Sequence, residues 1–401
     1  MLADEIRKVT DRLIEGAGAS APPVVMIKDL CERLLLAGLP IWRVGIFIQT
    51  LHPEVFGRNF IWQEGVAEVQ TGTVAFDFVN TEAFKSGTLR TVFEEGREVR
   101  CRIGGPAPFP FLDELRAEGA TDYVATPLRF IDGSVHASSW TTRQDGGFSD
   151  EQLAAIHALI PALTRLVEVV GLRRTASTLL NTYVGPRAGE RILAGQIRRG
   201  HTEIMHAAIW LSDLRGFTAL SDRLPPEEVV EILNLYFDCQ VAAILNHGGE
   251  VLKFMGDGLL AVFPIDGEDS EAGAVCSRVL EAASEARAAV AAMEFVIGDI
   301  TERFRFGVAL HVGRLLYGNI GGGNRLDFTC IGPAVNLAAR LEKIAGRLGR
   351  TLVASSAFAD ICQSGWVDLG EFPIAGMAKA QHVFGRADED YSSGSVVNSS
   401  G

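Results

Sequence analysis

The chain is short of positive charge. Its 401 residues carry 37 Lys and Arg against 50 Asp and Glu, a formal net charge of −13. A general nucleic-acid binder shows a basic face, so that class is excluded. An acidic protein that binds a polyanion such as a nucleotide needs local help from metal ions or focused Lys and Arg. Paired cysteines are lacking too. Cys31, Cys101, Cys239, Cys276, Cys330 and Cys362 are scattered with no CxxC pair, the pattern of buried free thiols in a reducing compartment. Residues 1–20 contain acids and no apolar core, so no export signal is read there. No uncharged apolar run approaches the length of a membrane span, because the greasiest stretch, 153–171, is interrupted by Arg165 and Glu168. These absences lead to the expectation of a cytoplasmic protein with no nucleic-acid partner and no membrane span.

What is present is a soluble globular balance, 47% hydrophobic and 22% charged, in a chain long enough for two domains. Residues 1–22 are polar, end in GAGASAP and are expected to be a flexible lead-in. Val25, Ile27, Leu30, Leu34 and Leu35 share a helical face over 23–38. Strand-like runs follow at 42–51, 71–78, 122–130 and 134–143, the last two joined by an Asp132-Gly133 hairpin signal. Ser149 and Gln152 form a capping-box pattern ahead of a stripe of Leu153, Ile156, Ile160, Leu163, Val167 and Val170. Such a stripe suits either a helix paired with its copy in a dimer or one packed on its own sheet, with Pro161 adding a kink.

From residue 201 the pattern is strand, helix, hairpin, helix, strand. AAIWLSDL at 207–214 is an apolar run ending near an acid. Pro225 and Pro226, with Glu227 and Glu228, open a helix whose expected buried face is Val230, Leu233, Phe237, Val241 and Ile244, and Gly248 ends it. GEVLKFMGDGLLAVF at 249–263 reads as two strands joined at Met255–Gly258. Asp213 thus ends one strand and Asp257 tips the next hairpin. If the hairpin lies beside that strand, two hard oxygen ligands meet at one edge of the sheet, which suits Mg²⁺ and two-metal phosphoryl transfer. Gly216 can bring backbone amides close to a phosphate at a helix start. Either aspartate alone reads equally as a turn residue.

Four motifs in fixed order, WLSDLRGFTALS, EVLKFMGDGLLAVF, VGRLLYGNIG and IGPAVNLAARLE, resemble the catalytic domain of class III adenylate and guanylate cyclases over residues 203–386. The resemblance implies an α+β fold, a ferredoxin-like βαββαβ sheet with helices on one face. It implies that Asp213 and Asp257, with the Leu214 carbonyl, hold two Mg²⁺ or Mn²⁺ ions per site, and that Gly216, Phe217 and Thr218 lie against the substrate. Lys253 and Thr329 match the positions that read the base, Asn336 the one that orients the ribose, and Arg340 the one that stabilises charge on the α-phosphate. Arg314 falls where some members place a triphosphate-binding arginine. Taken singly, Lys253 is equally an edge-strand charge, Asn336 a helix cap and Arg340 an ion-pair donor. One departure stands out. Where the family has Leu-Lys-Gly near the C-terminus, this chain has Ile374-Ala375-Gly376, leaving Arg314 or Lys379 as substitutes for that lysine.

The implied reaction is ATP to 3′,5′-cyclic AMP and pyrophosphate in a homodimer with two composite sites. The rivals are a guanylate cyclase, against which Lys253 argues, and a degenerate cyclase serving as a nucleotide-binding or dimerisation module. Ahead of this domain, residues 23–171 resemble a GAF sensor domain, most closely in ATPLRFIDGSVHASSWTTRQDGGFSDEQL at 125–153. A PAS-like or ligand-free dimerisation domain fits the same pattern. The implied partner there is an unidentified small-molecule or protein signal. Residues 172–200 read as a helical linker, 201–386 as the cyclase domain and 387–401 as a disordered tail.

Overall fold

The computed structural model describes residues 2–16, 21–51, 55–104, 109–267, 269–297, 300–323, 325–363, 365–374, 377 and 379–389. Contacts divide the chain into two units, Met1–Leu179 and Leu180–Gly401. The division falls inside the segment expected to be a linker. Of the tail expected to be disordered, residues 390–401 lie outside the described residues.

The first unit runs α1 (Leu2–Ile14), α2 (Pro23–Leu36), β1 (Arg43–Gln49), β2 (Gly57–Gln63), β3 (Gln70–Val74), α3 (Glu82–Lys85), α4 (Thr88–Glu95), β4 (Val99–Arg102), α5 (Phe111–Ala117), β5 (Asp122–Arg129), β6 (Val135–Thr142) and α6 (Asp150–Val184). Its strands form one antiparallel sheet, ordered β3-β2-β1-β6-β5-β4. Residues of α1, α2 and α6 bury one face with Val44, Ile46, Phe60 and Trp140, while α4 and α5 residues cover the other with Tyr123 and Ala125.

Two expectations need correction here, and one open alternative is decided. The N-terminal segment expected to be flexible contains α1, because Ile6, Val9 and Leu13 recur at three and four residues and are buried. The stripe on α6 packs within its own unit: Ile156 and Leu163 are buried, and Leu153, Ile160, Val167 and Val170 lie against the same core. It is therefore not a free seam for a second copy. Finally, α6 is by length and composition long enough and apolar enough to cross a membrane, though 44% of its most apolar window is buried in the protein. The two charges that interrupt its apolar run, Arg165 and Glu168, pair with each other across one turn. The capping box is formed as read: Ser149 N donates to Gln152 Oε1 at 2.8 Å and Gln152 N to Ser149 Oγ at 3.2 Å.

The second unit runs α7 (Pro186–Leu193), β7 (Thr202–Leu214), α8 (Phe217–Ser221), α9 (Pro226–Asn246), β8 (Glu250–Met255), β9 (Gly258–Pro264), α10 (Asp269–Ala292), β10 (Glu294–Ile297), β11 (Ile300–Arg303), β12 (Phe306–Gly322), β13 (Arg325–Ile331), α11 (Pro333–Leu348), β14 (Leu352–Ser355), α12 (Ser356–Ala359), β15 (Trp366–Phe372) and β16 (Gln381–Arg386). The sheet order is β15-β16-β14-β12-β7-β9-β8, with β13 paired to β12. Its middle, β12-β7-β9-β8, is the 4-1-3-2 arrangement of a βαββαβ unit, and the fold class is α+β. Alternation sorts the core. Ala208, Trp210, Ala261 and Phe263 face α9 and α10, whereas Ala207, Ile209, Leu211, Leu260 and Val262 face the opposite way, towards residues of α7, β13 and α11. The sheet is thus covered on both faces, not one.

The inner side of α9 is as read at Leu233, Phe237, Val241 and Ile244, which lie in or against the core, but not at Val230. Ile232, Tyr236, Gln240, Ala243 and Ile244 are buried, while Val230 is 56% exposed. The polar Gln240 is not evident on this side from the sequence. It is buried because its Oε1 accepts a 2.6 Å hydrogen bond from Ser212 Oγ on β7.

Candidate active site

The two aspartates converge through strand register. Asp213 on β7 pairs with Gly258 on β9, which places Asp257, the preceding residue, beside it. Leu214 N donates to the Asp257 carbonyl at 3.3 Å and locks the turn. The Asp213 carboxyl is held well above the ordinary carboxylate range, first by burial, then by the negative charge of Asp257, then by Glu342, with Arg215 opposing. Two crowded acids that repel one another are a donor set that a divalent cation would relieve. Among the described residues no cluster of three or more metal-ligating side chains occurs. The pair plus a backbone carbonyl therefore fits a hard ion whose remaining ligands come from water and substrate phosphate. Leu214 itself is buried in the core, which anchors that carbonyl.

After Arg215 the chain turns sharply. Gly216 has φ +77°, a left-handed conformation a side chain would resist, and α8 begins at the next residue. Phe217 packs against the core and Thr218 is exposed.

Lys253 lies on β8 and its Nζ donates to Asp327 Oδ2 on β13. Thr329 stands two residues beyond Asp327 on the same strand, opposite Gly318 of β12. Period-two alternation puts Asp327 and Thr329 on one side of β13. Asp327 was not among the residues expected at the site, and that alternation was the signal for it. Phe254, Met255, Leu326 and Ile331, neighbours of these residues along the two strands, are large apolar side chains 38–52% exposed.

Gly332 caps the start of helix α11, and its φ of +144° again favours glycine. Ala334, Ala338, Leu341, Glu342 and Ala345 are buried. Asn336 and Arg340, one turn apart, point elsewhere. Arg340 stands about 200° round the helix from Glu342 at roughly 100° per residue. Asn336, Lys343 and Arg347 are exposed on that outward side, and Arg340 is half-buried there with no ion pair among the described residues. Meanwhile Glu342 reaches back to Arg215 and contributes to the charge at Asp213. Within one chain, therefore, the side of α11 that carries Glu342 towards Arg215 is not the side that carries Asn336 and Arg340. Arg314 is exposed on β12 opposite His206, seven residues along that strand from the Gly307 that pairs with Asp213. Lys379 is exposed, and Ala375 and Gly376, where the family lysine is missing, lie outside the described residues.

Comparison with known proteins matches residues 201–384 to the model of the adenylate and guanylate cyclase catalytic domain. Adenylate cyclase 1 of Rhizobium meliloti is 33% identical over 170 residues, 42% of this chain and 25% of the relative. The adenylate cyclase of Anabaena cylindrica is 28% identical over 163 residues, 40% of this chain and 32% of the relative. This chain thus spans a third or less of these relatives' length. Among solved structures, the adenylyl cyclase CyaB from P. aeruginosa is 26% identical with a TM-score of 0.40, over 48% of this chain and 98% of that one. The guanylyl cyclase Cya2 is 27% identical with a TM-score of 0.38, over 49% and 98%. Residues 201–384 belong to the adenylate and guanylate cyclase catalytic domain family.

Proposed function

We propose that the protein converts ATP to 3′,5′-cyclic AMP and pyrophosphate, at sites completed by a second copy of the chain. The observation that carries this reading is the convergence of Asp213 and Asp257 at the end of β7, with Asn336 and Arg340 on the outward side of α11. In the reaction the ribose 3′-oxygen bonds to the α-phosphorus, the α-phosphorus–bridging-oxygen bond breaks so that pyrophosphate leaves with that oxygen, and the 3′-hydroxyl proton passes to solvent. Asp213, Asp257 and the Leu214 carbonyl would hold two Mg²⁺ or Mn²⁺ ions. When bound, these supply charge that makes the 3′-hydroxyl more acidic and neutralises the departing pyrophosphate. From the partner copy, Asn336 orients the ribose and Arg340 meets the charge on the α-phosphate, so catalysis is positioning plus electrostatics. Gly216, Phe217 and Thr218 present backbone to the triphosphate, and Arg314 offers it a cation.

Lys253 and Thr329 read the adenine edge. The relatives named as adenylate cyclases, and the lysine itself, favour ATP over GTP. Exposed apolar residues flanking Lys253 and Thr329 support a protein–protein contact there, since such patches mark interfaces. The N-terminal unit is the regulator in this reading, and a GAF-like role for it rests on the sequence pattern.

Turnover of ATP and GTP, each with Mg²⁺ and with Mn²⁺, tests the proposal. Cyclic AMP formed faster than cyclic GMP is expected, with loss of both in a folded Asp257→Ala variant. Preferred GTP use would make the protein a guanylate cyclase. Nucleotide binding without turnover would make it a degenerate cyclase.

A further inference from the structure

The first unit contains a cavity of about 360 Å³ between its sheet and the helices α1, α2 and α6. That volume lies within the range of small-molecule sites. A smaller one, about 200 Å³, lies among β1, α4 and α5 residues. The larger cavity is lined chiefly by apolar side chains, among them Met26, Leu30, Ile46, Phe60, Leu166 and Val170.

Its polar groups divide into two kinds. His136 is neutral and fully engaged: its Nδ1 accepts from Gln49 N at 3.0 Å, and its Nε2 lies 3.1 Å from Ser134 Oγ, which donates to Asp132 Oδ1 at 2.6 Å. Burial holds the imidazole down to about 4, so it carries no charge at neutral pH. Asp132 is satisfied by the backbone N and hydroxyl of Ser134. The two guanidinium groups differ. Arg58 on β2 and Arg174 on α6 both line the cavity, yet neither has an ion pair or hydrogen bond among the described residues. Arg174 shares the cavity lining with Arg58 and is pushed down from its ordinary value first by partial burial and then by the positive charge of Arg58. Arg58 is half-buried and Arg174 exposed, so both charges keep contact with solvent while most of the lining is apolar.

We propose that this cavity binds a single-chain amphiphile with an anionic head, its tail among the apolar residues and its carboxylate between Arg58 and Arg174. Two like charges beside an apolar chamber are relieved by one anion that both guanidinium forks can grip. A purely apolar ligand would leave them unpaired. The site is separate from the nucleotide site, and its occupancy does not depend on the cyclase reading.

The test is calorimetric titration of the full chain with laurate below its micellisation concentration, against dodecanol as the neutral molecule of equal chain length. Saturable binding of one laurate per chain is expected. Dodecanol should bind at least about tenfold more weakly, the weight of one charge-assisted contact. Arg58→Gln with Arg174→Gln should bring laurate down to the level of dodecanol, with circular dichroism confirming the fold. Absence of saturable laurate binding, or equal affinity for laurate and dodecanol in the unaltered protein, overturns the proposal without reference to any variant. Unchanged laurate affinity in the folded double variant also overturns it.

Discussion

Arg215 Nη1 donates to Glu342 Oε1 at 2.7 Å, tying the loop after Asp213 to the inner side of α11. The guanidinium fills a slot made by two glycines. A Cβ at Gly307 would stand 1.6 Å from Nη2, and one at Gly346 would stand 2.8 Å from Nη1. Glu342 is nearly buried, so loss of its partner leaves an uncompensated charge. Arg215→Ala or Glu342→Ala should each destabilise the protein by about 3 kcal/mol, whereas Arg215→Met with Glu342→Leu should cost clearly less than the sum of the singles. Denaturant melts of the three variants check this. Strict additivity would mean that the pair does not act as a unit.

The proposed base-reading residues make a second test. Lys253→Glu with Thr329→Cys should weaken ATP use and admit some GTP, since a site built for one base edge leaves polar groups unpaired with the other. Asp327→Ala should raise the KM for ATP more than it lowers kcat, because Asp327 holds Lys253 without touching the reacting atoms. An unchanged ATP:GTP ratio in the first variant would remove both residues from base recognition.

Subunit mixing tests the shared site. Asp257→Ala and Arg340→Ala homodimers should each be inactive, because each lesion damages both sites. A mixed dimer gathers both lesions in one site and leaves the other intact. Random pairing should then restore up to about a quarter of normal activity. Continued inactivity after demonstrated exchange would place each whole site within one chain, contrary to the outward orientation of Asn336 and Arg340.

His311 provides a pH prediction for the second unit. It is buried on β12 with Nδ1 2.8 Å from Ser355 Oγ, and burial lowers it from 6.5 to about 4. A depressed histidine contributes its stability above the unfolded value and loses it as pH falls. Between pH 6.5 and 4 the unfolded chain takes up a proton that the folded chain refuses, which removes up to about 3 kcal/mol. His311→Gln should flatten the stability curve of the second unit across that window. An identical slope in the variant would show that this histidine is not held neutral.

The four linked motifs identified the second unit because strand register follows directly from pattern. An apolar run ending at Asp213 and a hairpin tipped at Asp257 can pair in few ways, and they pair as read. The Ser149–Gln152 cap was equally legible, since its partners lie three residues apart. Contacts between distant segments were not. Arg215 and Glu342 are 127 residues apart and Lys253 and Asp327 are 74 apart, so no local spacing announces either pair. Only Gln240 on the inner side of α9 was hidden, because a polar residue reads as outward until its partner Ser212 is known. The stripe on α6 could have faced a second copy or its own core. Only packing decided this: α1, read from sequence as loose, folds over and joins α2 and α6 in one cluster. Sequence alone determined which residues are apolar and at what period. Which surface buries them is settled by the competing surfaces present in three dimensions, because hydrophobic burial has no direction of its own.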